Sequence, residues 1–131
     1  MVKLLYIMAG GAVGSALRYG LSGFAQHLTS GTFPLGTLVV NIVGSFLAGV
    51  LWGMTELFEF APMLRLFTFI GFLGGFTTFS TYTLETMNLI RSQRYLDAGI
   101  NILASNILGI MFIIAGFIGT KLIFNYLMHK P

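Results

Sequence analysis

The chain has no cysteine and few charged residues, and these two deficits exclude several classes of protein. Only 8% of its 131 residues are charged, against roughly a quarter in an average soluble domain. Without cysteine there are no disulfides, no thiolate metal sites and no thiol catalysis. The two histidines, His27 and His129, lie too far apart in the sequence to suggest a metal pair. With so few acids and no neighbouring nucleophile and base, we expect no enzyme.

Apolar residues, by contrast, make up 56% of the chain and fall into four runs, residues 4–26, 35–54, 66–90 and 98–122. A membrane-crossing helix needs about 20 such residues. The composition therefore predicts an all-α integral membrane protein with four transmembrane helices in a single domain, 1–131. A removable signal peptide is the alternative for the first run, and the three further runs favour a retained helix. The basic residues are scattered, so nucleic acid is not an expected partner.

The third run contains a stretch that does not suit a lipid-facing helix. Gly74 and Gly75 are followed by threonines and a serine, which have poor helix propensity. We therefore expect the third helix to be broken near its middle. Backbone groups freed inside a membrane must find partners in protein, water or an ion, so a broken helix at this depth usually lines a cavity or binds a ligand.

Beyond the break, polar side chains share one helix face. If the helix resumes there, Thr78, Thr81, Tyr82 and Glu85 lie on one side, and Phe79 and Tyr82 stack at spacing i, i+3. Ordinary aromatic packing and an interfacial, solvated Glu85 are the alternatives. The hydroxyls between the rings favour a polar path through the membrane.

In the first run, two glycines and one charged residue recur at a constant spacing. Gly10, Gly14 and Arg18 recur every four residues, so they share a helix face. The glycines predict close helix packing. A guanidinium about ten residues from either end of a membrane helix must lie against protein or water, or extend to the membrane interface. Pairing of Arg18 with backbone carbonyls and a functional role both stay open.

The second and fourth runs also carry polar residues at membrane depth. Asn41 lies beside small residues, where its amide can bond a neighbouring helix or a ligand, and both readings stay open. Ser105 and Asn106 lie in the first half of the fourth run, whose second half is apolar. This asymmetry predicts that one end of the fourth helix lines a wet vestibule.

Charges in the loops give little orientation bias. If the termini share one side, that side holds Lys3, Arg65 and Lys130, with Lys121 near it, and the other side holds Arg91 and Arg94. Basic residues set membrane orientation, so a near balance permits insertion both ways. The sequence thus permits an antiparallel dimer of identical subunits in the lipid bilayer.

Three motifs, in order along the chain, resemble the Fluc or CrcB family of small bacterial fluoride channels. They are Gly10-Gly11-Ala12-Val13-Gly14-Ser15-Ala16-Leu17-Arg18-Tyr19, Gly36-Thr37-Leu38-Val39-Val40-Asn41 and Gly74-Gly75-Phe76-Thr77-Thr78-Phe79-Ser80-Thr81. The resemblance covers essentially the full length. It implies a multi-pass protein of the bacterial inner membrane that lets fluoride leave the cytoplasm passively. It also implies a dual-topology homodimer with two pores and a structural sodium ion at the centre of its interface.

The resemblance also implies residue roles. The backbone carbonyls of Gly74 and Thr77 would hold the sodium ion. The anion pathway would comprise Asn41, Phe79, Ser80, Thr81, Tyr82 and Glu85, with Arg18, Thr37, Ser105 and Asn106 in pathway or structural roles. Tyr82 departs from the family pattern, which has phenylalanine there. From sequence alone, Tyr82→Phe is expected to be tolerated because it restores the usual ring.

A small proton-coupled multidrug transporter is the main competing interpretation. Such a transporter shares the short chain, the four spans and antiparallel dimerisation. It needs a membrane-buried carboxylate, typically in its first helix, and the first run here has none. Only Glu85 lies within a run as a candidate. A purely structural membrane subunit would explain the small residues but not the hydroxyls in a broken helix.

Overall fold

The computed structural model is all-helical and describes residues 1–29 and 31–128, so His129 and Lys130 lie outside the described residues. In chain order the elements are α1 (Val2–His27), α2 (Leu35–Leu57), α3 (Pro62–Arg65), a π-helical segment (Leu66–Leu73), α4 (Gly74–Phe76), α5 (Phe79–Arg91) and α6 (Tyr95–Met128). Within the described residues there are four helical spans long and apolar enough to cross a membrane, the third being Pro62–Arg91, and there is no strand. The predicted all-helical fold with four spans is confirmed.

The third span is interrupted, as the sequence predicts. Thr77 (φ −84°, ψ 157°) and Thr78 (φ −147°, ψ 116°) have extended backbone between α4 and α5. The break therefore follows the Gly74–Gly75 pair by two residues. Ahead of it, Leu66–Leu73 is wound as a π-helix, which is rare in proteins and frequent at functional sites.

Glycines let α1 pack directly on the first half of the third span. A Cβ on Gly10 would lie 2.8 Å from the Phe72 nitrogen, and one on Gly75 would lie 2.6 Å from the Gly11 carbonyl oxygen. Real Cβ atoms essentially never approach a neighbour this closely. The close packing predicted for the glycine face of the first run is confirmed, and it fixes the upstream side of the break.

The second helix packs against α6 in the same way. A Cβ on Gly49 would lie 2.9 Å from the Phe117 nitrogen, and one on Gly116 would lie 3.0 Å from the Val50 nitrogen. Beyond these contacts, Lys121 forms a 2.5 Å ion pair with Glu56. The described part of the chain thus has two tightly packed helix pairs, α1 with the upstream third span and α2 with α6, and two cavities with some polar side chains in their linings lie beside α5.

Large apolar side chains cover much of the outer surface. Leu96 is 78% exposed, and most of the face of α6 away from α2 is apolar and open. A water-facing surface of this kind would be a liability in a soluble monomer. In a bilayer it is the expected outer face, in contact with lipid or another membrane subunit.

Candidate functional site

The helix break is held in place by one side chain from α2. The Asn41 Nδ2 group donates to the Thr78 carbonyl oxygen at 3.0 Å, and the Thr78 backbone N–H donates to Asn41 Oδ1 at 2.9 Å. The amide therefore satisfies both backbone groups of a residue that lies in extended conformation inside the membrane. Within this protomer Asn41 therefore links α2 to the helix break, and one hydrogen of its amide remains for a ligand.

Thr78 organises the downstream side of the break. It is the N-cap of α5, and its hydroxyl oxygen accepts from the Thr81 backbone N–H at 3.2 Å. The same hydroxyl donates to Thr81 Oγ1 at 2.9 Å and lies 3.4 Å from Ser80 Oγ. From the sequence, Thr78 is expected on the polar face of the third helix, but no site role is predicted for it. The signal that could have found it is its type and place, since threonine is a preferred N-cap residue where a helix restarts.

These bonds free two carbonyl groups upstream. In a continuous α-helix the backbone N–H groups of Thr78 and Thr81 would donate to the carbonyls of Gly74 and Thr77. Here they bond to Asn41 and to the Thr78 hydroxyl instead. Gly74 is exposed, and a Cβ there would meet nothing within 4 Å. Carbonyl oxygens that lack helical partners, one of them on an exposed glycine, suit a small hard cation as ligands.

A small cavity of ≈330 Å³ lies beside the break. Its lining includes Asn41, Ser45, Thr77, Thr78, Phe79, Tyr82, Ser105 and Asn106. The Phe79 and Tyr82 ring centroids are 5.5 Å apart with the rings tilted by 52°. Phe79 is 76% exposed in the protomer. The Ser105 hydroxyl is buried and has no hydrogen-bond partner among residues 1–29 and 31–128.

A larger groove of ≈1390 Å³ lies between α1, α2 and α5, and its lining includes Arg18, Thr37, Thr81 and Glu85. The Thr37 hydroxyl donates to Glu85 Oε1 at 2.7 Å. The other oxygen, Oε2, is buried without a partner in the described part of the chain. Glu85 is thus tied to α2, which argues against a freely solvated carboxylate.

Arg18 lines the same groove without an ion pair or hydrogen bond to any described residue. The pairing with backbone carbonyls that the sequence left open is therefore not observed. A second arginine, Arg94, also lines the groove, and it forms a 2.8 Å ion pair with Asp97 and bonds the Thr32 hydroxyl. The unpaired guanidinium of Arg18 is a positive group in a lining that also contains the carboxyl group of Glu85, and it can attract an anion to its part of the groove.

The two cavities meet at Thr78, which lines both of them. The small cavity brings together the sequence-predicted residues Asn41, Thr77, Phe79, Tyr82, Ser105 and Asn106. The groove brings together Arg18, Thr37, Thr81 and Glu85. Ser80 and Gly74 line neither cavity. Ser80 is exposed and reaches the site only through its contact with Thr78.

The chain is similar over nearly its whole length to proteins of known family. Residues 5–117 match the model of the family described as CrcB-like protein, Camphor Resistance (CrcB). A relative from Parabacteroides distasonis, named "Fluoride-specific ion channel FluC", is 47% identical over 118 residues, 90% of this chain and 92% of the relative. Proteins of the same name from Salinibacter ruber and Desulforapulum autotrophicum are 45% identical over 116 residues (88% and 87% of the two chains) and 43% identical over 122 residues (92% and 98%). This chain, with its four apolar spans and interrupted third helix, therefore belongs to the CrcB-like family.

Proposed function

We propose that this protein is a fluoride-selective ion channel rather than an enzyme, and that it lets fluoride leave the cytoplasm passively across a bacterial inner membrane. The observation that carries the proposal is that Thr78, at the helix break, lines both cavities and is held there by Asn41, which lines the small one. The names of the relatives support the same ion.

The chemistry of the lining suits a small, strongly hydrated anion. Such an ion crosses a membrane only where donors replace its water. The groove offers the unpaired Arg18 and the hydroxyl of Thr81, and the small cavity offers the Asn41 amide, the Ser105 hydroxyl and aromatic edges. Ring edges carry partial positive charge. Both cavities therefore present groups that can stabilise a negative ion.

The experiment that tests this function is fluoride efflux from liposomes that hold the purified protein, read with a fluoride electrode beside a chloride control. We expect rapid fluoride release without an imposed proton gradient and little chloride release. Release that requires a proton gradient would favour the multidrug-transporter alternative. Within the described spans, α1 has no acid, Glu56 is paired with Lys121 and Asp97 is paired with Arg94, so Glu85 would have to carry that coupling.

The proposed channel is an antiparallel homodimer. Two exposed features support this assembly, the 76% exposed ring of Phe79 and the open backbone at Gly74, because both lie where the broken helix reaches the protomer surface. The near balance of basic residues across the two sides permits insertion in both orientations.

Biasing the orientation is expected to abolish most of the activity. Several lysines added at one end of the chain should force a single orientation, so that expressed alone the variant loses most fluoride efflux. Co-expression with an oppositely biased variant should restore it. Full efflux from one strongly biased variant, with its orientation verified by labelling, would contradict the antiparallel dimer.

We propose further that the freed carbonyls of Gly74 and Thr77 hold a sodium ion between the two subunits. Two carbonyls from each subunit give four oxygen ligands, the donor type that hard cations prefer. When bound, the ion would neutralise the carbonyl dipoles and join the subunits. The support within the protomer is the diversion of both helical N–H donors away from these carbonyls.

Added bulk at Gly74 is expected to weaken sodium-dependent dimerisation. Gly74→Leu adds its side chain to open space and so should leave the protomer folded. Thr77→Ser keeps the backbone and the hydroxyl that bonds the Leu73 carbonyl at 2.9 Å, so its effect should be milder. The measurement is the dimer fraction in detergent with sodium or with a bulky organic cation.

A matched control is Gly99→Leu, because Gly99 lies in α6 and a Cβ there also meets nothing within 4 Å. Equal dimer fractions with and without sodium in the unmodified protein would exclude the sodium site. An equal loss in Gly74→Leu and Gly99→Leu would indicate a general effect of surface bulk.

A further inference from the structure

The Tyr82 hydroxyl is held by a residue on a neighbouring helix. Asn106 Nδ2, on α6, donates to the Tyr82 hydroxyl oxygen at 3.3 Å and to the Ile102 carbonyl oxygen at 2.7 Å. A carbonyl oxygen can only accept, so the bond to Ile102 requires the nitrogen of the Asn106 amide to face this side. The Tyr82 oxygen is therefore the acceptor in its bond with Asn106.

The hydroxyl hydrogen of Tyr82 is left over as a donor. Within residues 1–29 and 31–128, the contact with Asn106 is the one hydrogen bond of the Tyr82 hydroxyl, so no acceptor takes its hydrogen. The Ser105 hydroxyl, which lines the same cavity, is buried and also without a partner. The buried Ser105 hydroxyl leaves a demand for a negative or lone-pair ligand, because an unpaired buried donor is costly. The Tyr82 O–H is a second donor without an acceptor in the lining of the same cavity.

We infer that the Tyr82 hydroxyl, oriented by Asn106 and assisted by Ser105, is a further fluoride ligand in the small cavity of this protein. The inference rests on the proposed fluoride channel and adds a ligand that a phenylalanine at this position could not supply. The Tyr82 ring meets Phe79 at 5.5 Å. The hydroxyl thus adds an O–H donor next to the ring edges. Asn106 acts as a positioning residue and does not contact the ion in this arrangement.

The test is a double-mutant cycle in the liposome efflux assay. Tyr82→Phe removes the O–H donor and keeps the ring, so fluoride efflux per folded protein should fall about tenfold, equivalent to ~1.4 kcal/mol. Asn106→Leu frees the hydroxyl to rotate and should cause a smaller loss. In the double variant Asn106→Leu should add nothing to Tyr82→Phe, because the residue acts through the hydroxyl. The control is Tyr95→Phe, since Tyr95 is 66% exposed at the start of α6 and lines neither cavity.

A spectroscopic readout separates ligand contact from packing. A tyrosine that donates to an anion shifts its near-ultraviolet absorption, so the fluoride-minus-chloride difference spectrum of the unmodified protein should show a tyrosine signal. That signal should disappear in Tyr82→Phe and persist in Tyr95→Phe. Unchanged efflux in Tyr82→Phe, or a signal that survives in it, overturns the inference while the fluoride channel stands. An unmodified protein that passes no fluoride overturns both.

Discussion

Replacing Asn41 by aspartate is expected to reduce fluoride efflux at least about tenfold. The amide donates to the Thr78 carbonyl and accepts from the Thr78 N–H, so a carboxylate would keep the second bond and oppose the carbonyl with a negative oxygen at the first. It would also repel an anion in the cavity. A hydrogen bond to a charged group contributes about 1.5 to 3 kcal/mol, and ~1.4 kcal/mol changes a rate tenfold. Efflux per reconstituted dimer is the quantity to measure.

Asn125→Asp is the matched control for this substitution. Asn125 lies exposed near the end of α6, and it lines neither cavity. It receives the same change of charge in the same chain, so its efflux should stay close to that of the unmodified protein. If Asn41→Asp keeps full efflux while its dimer becomes less stable, Asn41 serves only to hold helices together and the proposed anion path is wrong.

The helix break was predictable because its causes are local. Paired glycines and a run of hydroxyl residues lower helix propensity in the chain itself. The same holds for the close packing of Gly10, since small residues at a spacing of four indicate a helix interface without knowledge of the partner. In both cases the sequence carries the physical cause within a few residues.

The contacts that shape the site were not predictable, because they join distant parts of the chain. Asn41 and Thr78 are 37 residues apart, and Thr37 and Glu85 are 48 residues apart. Hydrophobic period and propensity contain no information on which of several polar residues will meet. The π-helical winding of Leu66–Leu73 was not predictable either, because no glycine or proline pattern in that stretch distinguishes it from an α-helix.

Tyr82 shows how such a contact changes an expectation. From the sequence, Tyr82→Phe restores a familiar ring and is expected to be tolerated. In the structure the hydroxyl accepts a hydrogen bond from Asn106, on a helix that the local sequence does not connect to it. With that donor fixed, the hydroxyl hydrogen is free for a ligand, and the expected result becomes a loss of efflux.

Phe79→Ile is expected to lower fluoride efflux by about tenfold or more. The substitution removes a ring edge from the small cavity and leaves an aliphatic side chain that cannot stabilise an anion. Because the ring is 76% exposed in the protomer, its removal should cost the protomer fold little. Efflux should therefore fall without a matching fall in the thermal stability of the protomer.

The control for this substitution is Phe58→Ile. Phe58 is 51% exposed and packs edge-to-face on Phe124 at the far end of α2 and α6, away from both cavities. It tests loss of an exposed aromatic ring without loss of a cavity ring. If Phe79 served only to pack subunits together, Phe79→Ile would lower the dimer fraction and leave efflux per dimer unchanged. A fall in efflux per dimer that Phe58→Ile does not share can arise only from the ring that lines the cavity.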